Sequence, residues 1–390
     1  MTNNAYHSSL NGISEILNVA SNPDILSFAG GVPDHTLFPL EALISPLKKN
    51  ALAQNSLQYA KAEGYDPLRY LLLQRFSAST VDLKSIIIVS GSQQALDLIG
   101  KLFIQPGARV IVTRPTYLGA LMSFSAYQPK FIDIECDEEG IDLNTLEVAL
   151  TKGAAFIYLN PDFQNPTGMS FSSKRRHDVV KLASKYRTPI IEDSAYQQLN
   201  YSQKYFPSLS TYADASWNPV LHVGTFSKTI APGLRLGWII AQPAWIKSLS
   251  MLKQSSDLYT GLMNQILVEK FLETSFETHL FQIQLAYKKK RDCMLEQLAL
   301  YMPKTVLWSY PEGGFFIWLE LPKRLDGQLF CKEALTSLSV AAVPGSYFYS
   351  SNPKLNTVRL SFSTCSLGEI KEGIKRLGFL IEKLVAKNEK

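Results

Sequence analysis

The stretch TFSKTIAPGLRLGW occupies residues 225–238 and directly follows PVLHVG, an apolar run typical of a buried strand. Lys228 comes just past that strand, with the hydroxyls of Thr225 and Ser227 beside it and Arg235 further along. A lysine enclosed near other cations has a lowered pKa and attacks carbonyl groups. A guanidinium with short hydroxyl donors suits a phosphate. The stretch therefore indicates a site for pyridoxal 5′-phosphate, an aldehyde that carries a phosphate, unless Lys228 and Arg235 are only surface residues at strand ends.

Short apolar runs alternate with helical patterns through the first two thirds of the chain. This alternation predicts an α/β fold with a mostly parallel sheet covered by helices on both faces. The predicted strands lie at residues 85–91, 109–117, 130–135, 154–161, 188–196, 220–227 and 236–242. Function in such sheets gathers at the carboxyl ends of the strands. The polar residues expected there are Ser92, Tyr117, Asn165, Asp193, Tyr196 and Lys228.

One strand, turn and helix are typical of an anion site. SIIIVSG ends at residue 91, and SQQALDLIGKLF (92–103) follows with helical spacing. The free N–H groups of Ser92 and Gln93 would then point at the ligand, and the helix dipole would favour a phosphate. Such a turn is weak evidence alone, since every protein built from βαβ units has several.

The last third of the chain reads as a smaller α+β unit. TVLWSYPEGGFFIWLEL (305–321) predicts two strands around a turn, and TVRLSFST (357–364) predicts another. The final helix starts with a capping box of Ser366 and Glu369.

Composition excludes several classes of protein. The 390 residues are 46% hydrophobic and 19% charged, with a net charge of +5, which is ordinary for a globular chain and gives no nucleic-acid patch. Four scattered cysteines form no ligand spacing with the histidines, so we expect no metal site, and they suit a reducing, cytoplasmic compartment. The polar N-terminus lacks a signal-peptide pattern, and no apolar run is long enough to span a membrane.

Eight motifs in order resemble one known family. They are FAGGVPD, SGSQQAL, PTY, NPTG, EDSAY, SKTIAPGLRLGW, GGFFIW and RLSF, and they cover the chain from roughly residue 25 onward. The chain resembles fold-type I pyridoxal-phosphate enzymes of the class I/II aminotransferase family, most of all the branch of 2-aminoadipate and kynurenine aminotransferases. The resemblance implies a large domain with a mostly parallel seven-stranded sheet and a smaller C-terminal α+β domain. The implied boundaries are 1–40 for an N-terminal arm that is part of the small domain, 41–285 for the large cofactor domain and 286–390 for the small domain.

The resemblance also implies roles for residues around the cofactor. Lys228 would form the internal aldimine and shuttle a proton at the substrate's Cα, Asp193 would accept the pyridinium N–H, and Tyr196 would bind the cofactor's O3′ together with Asn165. Tyr117 would stack on the ring. The phosphate would be held by Ser92, Gln93, Thr225, Ser227, Arg235 and, from a neighbouring subunit of a homodimer, Tyr59.

For the substrate, the resemblance implies that Arg359 grips the α-carboxylate through a bidentate pair, with Gly31 and Asn165 close by. Taken alone, Arg359 is more typical of a strand residue paired with a surface acid. The implied reaction is a ping-pong transfer from an L-amino acid to a 2-oxo acid, with 2-oxoglutarate expected as the acceptor. The tract after Tyr65 and the N-terminal arm depart from the family pattern, so the side-chain preference is not carried over.

Two other functions use the same residues. A β-lyase acting on a sulfur amino acid would generate the same carbanion. A sensory domain would bind the cofactor without turnover, but the regulators of that type carry a DNA-binding extension of about 70 residues or more, whereas about 25 residues precede the fold here. The intact Lys228 also favours an enzyme over a sensor.

Overall fold

The computed structural model describes residues 22, 24–48, 54–77, 82–202, 204, 206–214 and 217–388. Residues 1–21 and 23 of the predicted arm lie outside the described part. Within these ranges the strands are β1 (Leu26–Ser27), β2 (Ile86–Val89), β3 (Arg109–Arg114), β4 (Lys130–Asp137), β5 (Gly140–Ile141), β6 (Phe156–Leu159), β7 (Ile190–Asp193), β8 (Val220–Thr225), β9 (Gly237–Ile240), β10 (Leu307–Trp308), β11 (Phe316–Glu320), β12 (Val340–Ala341), β13 (Val343–Pro344) and β14 (Thr357–Ser361). The helices are α1 (Leu40–Lys48), α2 (Asp66–Phe76), α3 (Ser92–Phe103), α4 (Leu118–Ser125), α5 (Leu143–Thr151), α6 (Ser173–Lys185), α7 (Pro243–Ser256), α8 (Leu262–Thr274), α9 (Phe276–Tyr301), α10 (Gly327–Leu338) and α11 (Leu367–Asn388). None of these described helices is long and apolar enough to cross a membrane.

The large sheet has the strand order β2-β9-β8-β7-β6-β3-β4-β5. Strands β4, β3, β6, β7 and β8 run parallel, and β9 lies antiparallel between β8 and β2. The seven predicted strands are therefore confirmed. The eighth strand, β5, was not predicted, because its two residues form a tight hairpin with the end of β4 and are too short to carry a periodic pattern.

Both faces of the large sheet are covered, as the apolar runs predicted. In β2, Ile87 and Val89 belong to a core with residues of α3 and α7, while Ile86 and Ile88 belong to a second core with residues of α2 and α8. All four side chains are fully buried. Burial of each such side chain contributes roughly 1.5–3 kcal/mol, so the sheet is fixed from both sides and its strand ends form a rigid platform.

The smaller sheet has the order β10-β11-β14-β13 and is antiparallel throughout. Its core includes Ile370, Ile374 and Leu377 of α11. The predicted capping box is confirmed: the Ser366 N–H donates to Glu369 Oε2 at 2.7 Å and the Glu369 N–H donates to Ser366 Oγ at 3.2 Å. The start of α11 is therefore set by sequence-local bonds.

The N-terminal stretch joins the smaller unit. Strand β1 pairs in parallel with β12, and the Ser361 N–H at the end of β14 donates to the Phe28 carbonyl at 2.8 Å. These contacts agree with an arm that is part of the small domain. The boundary predicted between residues 285 and 286 falls inside the continuous helix α9, and the three predicted domain ranges stay predictions.

Candidate active site

The carboxyl ends of β7 and β8 meet the first turn of α3 around a cavity of about 250 Å³. Asp193 is the last residue of β7, Thr225 is the last residue of β8, and Ser92 is the first residue of α3. The cavity thus lies where the topology predicted it. Its lining includes nine of the predicted residues: Ser92, Gln93, Tyr117, Asp193, Tyr196, Thr225, Ser227, Lys228 and Arg235. Asn160, Ala195 and Pro232 complete the lining.

Lys228 lies in the turn after β8, and its amine faces few compensating groups. Its Nζ donates to the Gly31 carbonyl at 2.8 Å and lies 5.7 Å from the centre of the Tyr196 ring. Burial, together with the positive charges of Arg359 and Arg235, lowers the pKa of Lys228 to about 8, although Asp193 opposes this. An appreciable fraction of the amine is therefore neutral near physiological pH and able to attack a carbonyl carbon.

Asp193 is a buried carboxylate that forms no salt bridge within the described part of the chain. Its Oδ2 accepts the phenol O–H of Tyr158 at 2.8 Å, and its Oδ1 accepts the Ala195 N–H at 3.3 Å. Burial raises the pKa of Asp193, while the bond from Tyr158 is the largest influence that lowers it. A buried carboxylate of this kind favours a cationic partner supplied by a ligand.

The opposite end of the cavity is built from anion-binding groups. The N–H groups of Ser92 and Gln93 in the first turn of α3 have no partners within the helix, whereas the Gln94 N–H donates to the Gly91 carbonyl at 3.1 Å. Thr225 Oγ1 lies 3.0 Å from Ser227 Oγ and 3.1 Å from the Leu236 carbonyl, so the two hydroxyls adjoin each other in the turn before Lys228. Helix dipole, free N–H groups and hydroxyls together suit a phosphate.

Arg235 completes this end of the cavity. Its backbone is left-handed, with φ of 50°, and its Nη2 donates to the Ser90 carbonyl at 3.1 Å. Gly91 has φ of 84°, and a Cβ there would come within 2.6 Å of that same Nη2. Glycine at residue 91 therefore allows the guanidinium to lie against the phosphate-binding turn.

Arg359 extends from β14 of the smaller sheet and has only neutral partners in the part of the chain that the structure describes. Its Nη1 donates to Asn165 Oδ1 at 2.9 Å and its Nη2 donates to the Ala29 carbonyl at 2.6 Å, while its Nε has no partner among those residues. The guanidinium lies over the rings of Phe316 and Phe348, at 4.4 and 4.9 Å from their centres. Burial lowers the pKa of Arg359 to about 10. Pairing with a surface acid, the alternative interpretation of this residue, is wrong.

Asn165 connects Arg359 to the cavity. Its backbone N–H donates to Asn160 Oδ1 at 2.8 Å, and its side chain hydrogen-bonds to the Tyr196 phenol. The Tyr196 ring meets the rings of Phe315 and Phe316 edge-on, each at 5.6 Å. Two polar groups that could bind an oxygen of a ligand are thus held in place by rigid neighbours.

Tyr117 precedes α4 and packs against one of the cores of the large sheet. A Cβ on Gly119 would come within 2.4 Å of the Tyr117 ring, so the helix starts without a side chain there and leaves room for the phenol. Burial and the neighbouring Asp193 raise the pKa of Tyr117 to about 12. Its ring lines the cavity as a neutral, apolar wall.

Four predicted residues lie outside the cavity lining: Asn165 and Arg359, described above, and Gly31 and Tyr59. Gly31 reaches it only through its carbonyl, which accepts from Lys228, and a Cβ there would come within 3.0 Å of Phe316. Tyr59 is 75% exposed and contacts Tyr259 edge-on at 5.9 Å. Within the single chain the structure does not bring Tyr59 to the other site residues.

Sequence reasoning missed Tyr158 and Asn160. Tyr158 lies in the buried strand β6 and bonds to Asp193, and Asn160 Nδ2 donates to the Asp193 carbonyl at 2.5 Å. A hydroxyl inside an otherwise apolar parallel strand was the available signal for Tyr158. The asparagine that directly follows the same strand was the signal for Asn160.

These residues fit pyridoxal 5′-phosphate. The anion-binding end matches its phosphate, and the amine of Lys228 matches its aldehyde. The carboxylate of Asp193, which forms no salt bridge among the described residues, matches its ring nitrogen. The free Nε of Arg359 marks a further place for an anionic group next to Asn165. A fold-type I enzyme that uses this cofactor is the class of protein that the sheet and the cavity define.

Comparisons with known proteins agree with this class of enzyme. The sequence profile of the family described as aminotransferase class I and II matches residues 23–377. The chain is 39% identical over 389 residues to aromatic-amino-acid aminotransferase 1 of Thermococcus litoralis, covering 96% of this chain and 92% of that protein. It is 37% identical to LysN, the α-aminoadipate aminotransferase of Thermus thermophilus solved with N-(5′-phosphopyridoxyl)-L-leucine, with a TM-score of 0.88 and coverage of 96% and 95%. The kynurenine aminotransferase of Pyrococcus horikoshii is also 37% identical, with a TM-score of 0.89 and the same coverage.

The chain belongs to the aminotransferase class I and II family, within the aminoadipate and kynurenine branch. It is an aminotransferase that uses pyridoxal 5′-phosphate to move an amino group between an amino acid and a 2-oxo acid. These named relatives give no support to the β-lyase alternative.

Proposed function

We propose that Lys228 carries the chemistry, by binding the cofactor's aldehyde and then moving the proton at the substrate's Cα during a ping-pong transfer. The observation that carries this proposal is the buried amine of Lys228, bonded to the Gly31 carbonyl, whose pKa is lowered to about 8 by burial and by the positive charges of Arg359 and Arg235. An amine with that pKa is a nucleophile when neutral and a proton donor when charged. Both roles are needed within one turnover.

Bound pyridoxal 5′-phosphate supplies an electron-withdrawing ring that stabilises negative charge at the substrate's Cα. We assign to Asp193 the task of keeping the ring nitrogen protonated. Asn165 and Tyr196 bind the oxygen next to the aldehyde, and Tyr117 covers the face of the ring. The phosphate is bound by the Ser92 and Gln93 N–H groups, by Thr225 and Ser227, and by Arg235.

Arg359 binds the substrate's α-carboxylate in this proposal. Its guanidinium has only neutral partners among the described residues and an unpaired Nε, so a carboxylate can enter without displacing an existing ion pair. The two phenyl rings beside it exclude water and strengthen the charge-assisted bonds. Gly31 lies beside the substrate in this proposal. A larger residue is disfavoured there, because a Cβ would come within 3.0 Å of the Phe316 ring.

For the substrate we infer an L-amino acid with a large side chain, aromatic or 2-aminoadipate-like, with 2-oxoglutarate as the acceptor. Support comes from the relatives, which are named for aromatic amino acids, kynurenine and α-aminoadipate. We also infer a cytoplasmic homodimer in which Tyr59 reaches the partner's phosphate site. The high exposure of Tyr59 in the single chain is what such a shared site requires.

Absorbance spectra of the purified protein test the assignment of Lys228. The wild type is mixed with single amino acids in the absence of any oxo acid, and conversion of the cofactor from its aldehyde form to its amine form is followed. We expect aromatic amino acids and 2-aminoadipate to convert it fastest, and 2-oxoglutarate to reverse the change. Lys228→Ala should lose the conversion while retaining phosphate-dependent binding, whereas the surface variant Lys185→Ala should behave as the wild type. Normal turnover by Lys228→Ala would overturn the proposal.

A further inference from the structure

We propose that Tyr158 is a positioning residue for the reaction: its phenol O–H holds the Asp193 carboxylate in the ionised form that keeps the cofactor's ring nitrogen protonated. The inference rests on the role proposed above for Asp193. Tyr158 itself lies in strand β6 of the large sheet and is not among the residues that line the cavity. It therefore acts on the chemistry only through Asp193.

The two residues are fixed on neighbouring strands. Tyr158 pairs with Ile191 across β6 and β7, and its Oη reaches Asp193 Oδ2 at 2.8 Å. The Tyr158 side chain is fully buried, and its ring meets that of Phe124 edge-on at 5.7 Å. A phenol has a single O–H to donate, so in this packed position the proton is directed at the carboxylate.

Among the groups around Asp193, the hydrogen bond from Tyr158 has a large influence on whether the carboxyl group is ionised. Burial favours the neutral acid, and the Tyr158 bond is the strongest of the influences that favour the anion. The others are weaker: the Ala195 N–H at 3.3 Å and the positive charge of Lys228. Of the described residues of β6, Tyr158 is the one whose side chain donates a hydrogen bond to the Asp193 carboxylate.

The chemical consequence concerns one proton shared by two bases. An ionised Asp193 leaves the proton on the ring nitrogen, and a neutral Asp193 takes it away from the ring. A donated O–H stabilises a carboxylate more than a carboxylic acid, so Tyr158 holds the proton on the ring. Without that O–H the proton shifts toward Asp193, and the ring withdraws electrons from the substrate's Cα less strongly.

The experiment uses the holoenzyme loaded with cofactor that is ¹⁵N-labelled at the ring nitrogen, whose NMR signal reports protonation directly. We expect Tyr158→Phe to move the signal toward the unprotonated position and to lower kcat, with little change in KM. A loss equivalent to one pKa unit would change the ratio of protonated to neutral ring about tenfold. The matched control is Tyr127→Phe, which removes a phenol bonded to Asp97 on the outer helix α3 and should leave the signal unchanged.

Two more forms of the protein separate the possible failures. Asp193→Asn should abolish the protonated signal; if it does not, the role proposed for Asp193 is wrong. If Asp193→Asn moves the signal and Tyr158→Phe does not, the inference about Tyr158 is overturned and the proposed function stands. Should Tyr158→Phe fail to fold, 3-fluorotyrosine at position 158 keeps the shape and donates more strongly. It should shift the signal toward the protonated position, and a shift the other way overturns the inference.

Discussion

Arg359 Nη1 donates to Asn165 Oδ1 across 2.9 Å, so a strand of the smaller sheet is bonded directly to the loop that follows β6 of the larger sheet. The same guanidinium has an unpaired Nε and no acidic partner in the ranges that the structure describes. A buried cation without a counter-charge is unfavourable, and an incoming carboxylate relieves that cost. Substrate binding should therefore strengthen the connection between the two sheets.

Arg359→Ala should weaken the reaction with every amino-acid donor by a similar factor, because all donors share the α-carboxylate. Charge-assisted bonds contribute roughly 1.5–3 kcal/mol, so we expect kcat/KM to fall about 10- to 150-fold, mainly through KM. Steady-state kinetics with an aromatic donor and with 2-aminoadipate measure it. Arg376→Ala, on the surface of α11, is the control. A defect limited to 2-aminoadipate would instead assign Arg359 to the side-chain pocket.

The low pKa of Lys228 predicts how the stability of the cofactor-free enzyme depends on pH. The pKa is about 8 in the folded chain against an ordinary 10.5, so the unfolded chain binds more protons between these two values. The contribution of this lysine to the free energy of unfolding should therefore rise with pH from about 8 to 10.5 and be smallest below pH 8.

Urea denaturation of the wild type and of Lys228→Met, compared from pH 7 to pH 10.5, isolates this contribution. Below pH 8 the methionine variant should be the more stable protein by about 2–3 kcal/mol, since it removes a buried charge. The difference should shrink as the pH rises. A difference that does not vary with pH would show that Lys228 has an ordinary pKa.

The exposed position of Tyr59 predicts that the site is completed by a second subunit. Tyr59→Phe should weaken binding of pyridoxal 5′-phosphate about five- to tenfold, the loss of one hydrogen bond, while Tyr70→Phe, on the exposed side of α2, should not. A mixed dimer of Lys228→Ala and Tyr59→Phe subunits provides a sharper test. The site that retains Lys228 would then receive an intact Tyr59 from its partner and bind the cofactor with wild-type affinity. Weak binding at every site of the mixed dimer would contradict sharing.

Sequence predicted those site residues whose type is unusual at the end of a buried strand. Lys228, Asp193 and Arg235 lie at or near the ends of buried strands, where a charged group needs a partner and so stands out. The role of Arg359 was harder to predict from sequence, because an arginine in a strand is more often paired with a surface acid. Only the structure shows that its partners among the described residues are neutral.

Other features could not be derived because their meaning depends on three-dimensional neighbours. A tyrosine in a buried strand resembles any core residue until its phenol is found 2.8 Å from a carboxylate, as for Tyr158. The strand β5 is two residues long and its pairing is set by the adjoining turn. The role of Tyr59 was taken from the resemblance, and the shared site proposed for it would need a second chain, which sequence patterns within one chain do not describe.

Next to the proposed phosphate site, the ion pair between the buried Lys253 and the partly exposed Asp257 predicts a last effect on cofactor binding. The fully buried Lys253 donates to both carboxylate oxygens of Asp257, at 2.6 and 2.8 Å. Asp257 in turn accepts from Gln94 Nε2 at 2.7 Å and from Ser90 Oγ at 3.1 Å, and the Ser90 carbonyl accepts from Arg235. The ion pair thus holds the turn whose N–H groups and guanidinium are proposed to bind the phosphate.

Asp257→Asn should weaken binding of pyridoxal 5′-phosphate about tenfold and leave binding of pyridoxal, which lacks the phosphate, unchanged. It should also lower the free energy of unfolding by about 3–5 kcal/mol, because the buried charge of Lys253 loses its partner. The double variant Lys253→Met, Asp257→Leu removes both charges and should regain much of that stability without regaining phosphate affinity, since Gln94 and Ser90 still lack their bonds to residue 257. Glu372→Gln, which breaks an exposed ion pair of α11, is the control. Equal losses for pyridoxal and its phosphate would mean that the pair supports the fold and not the phosphate turn.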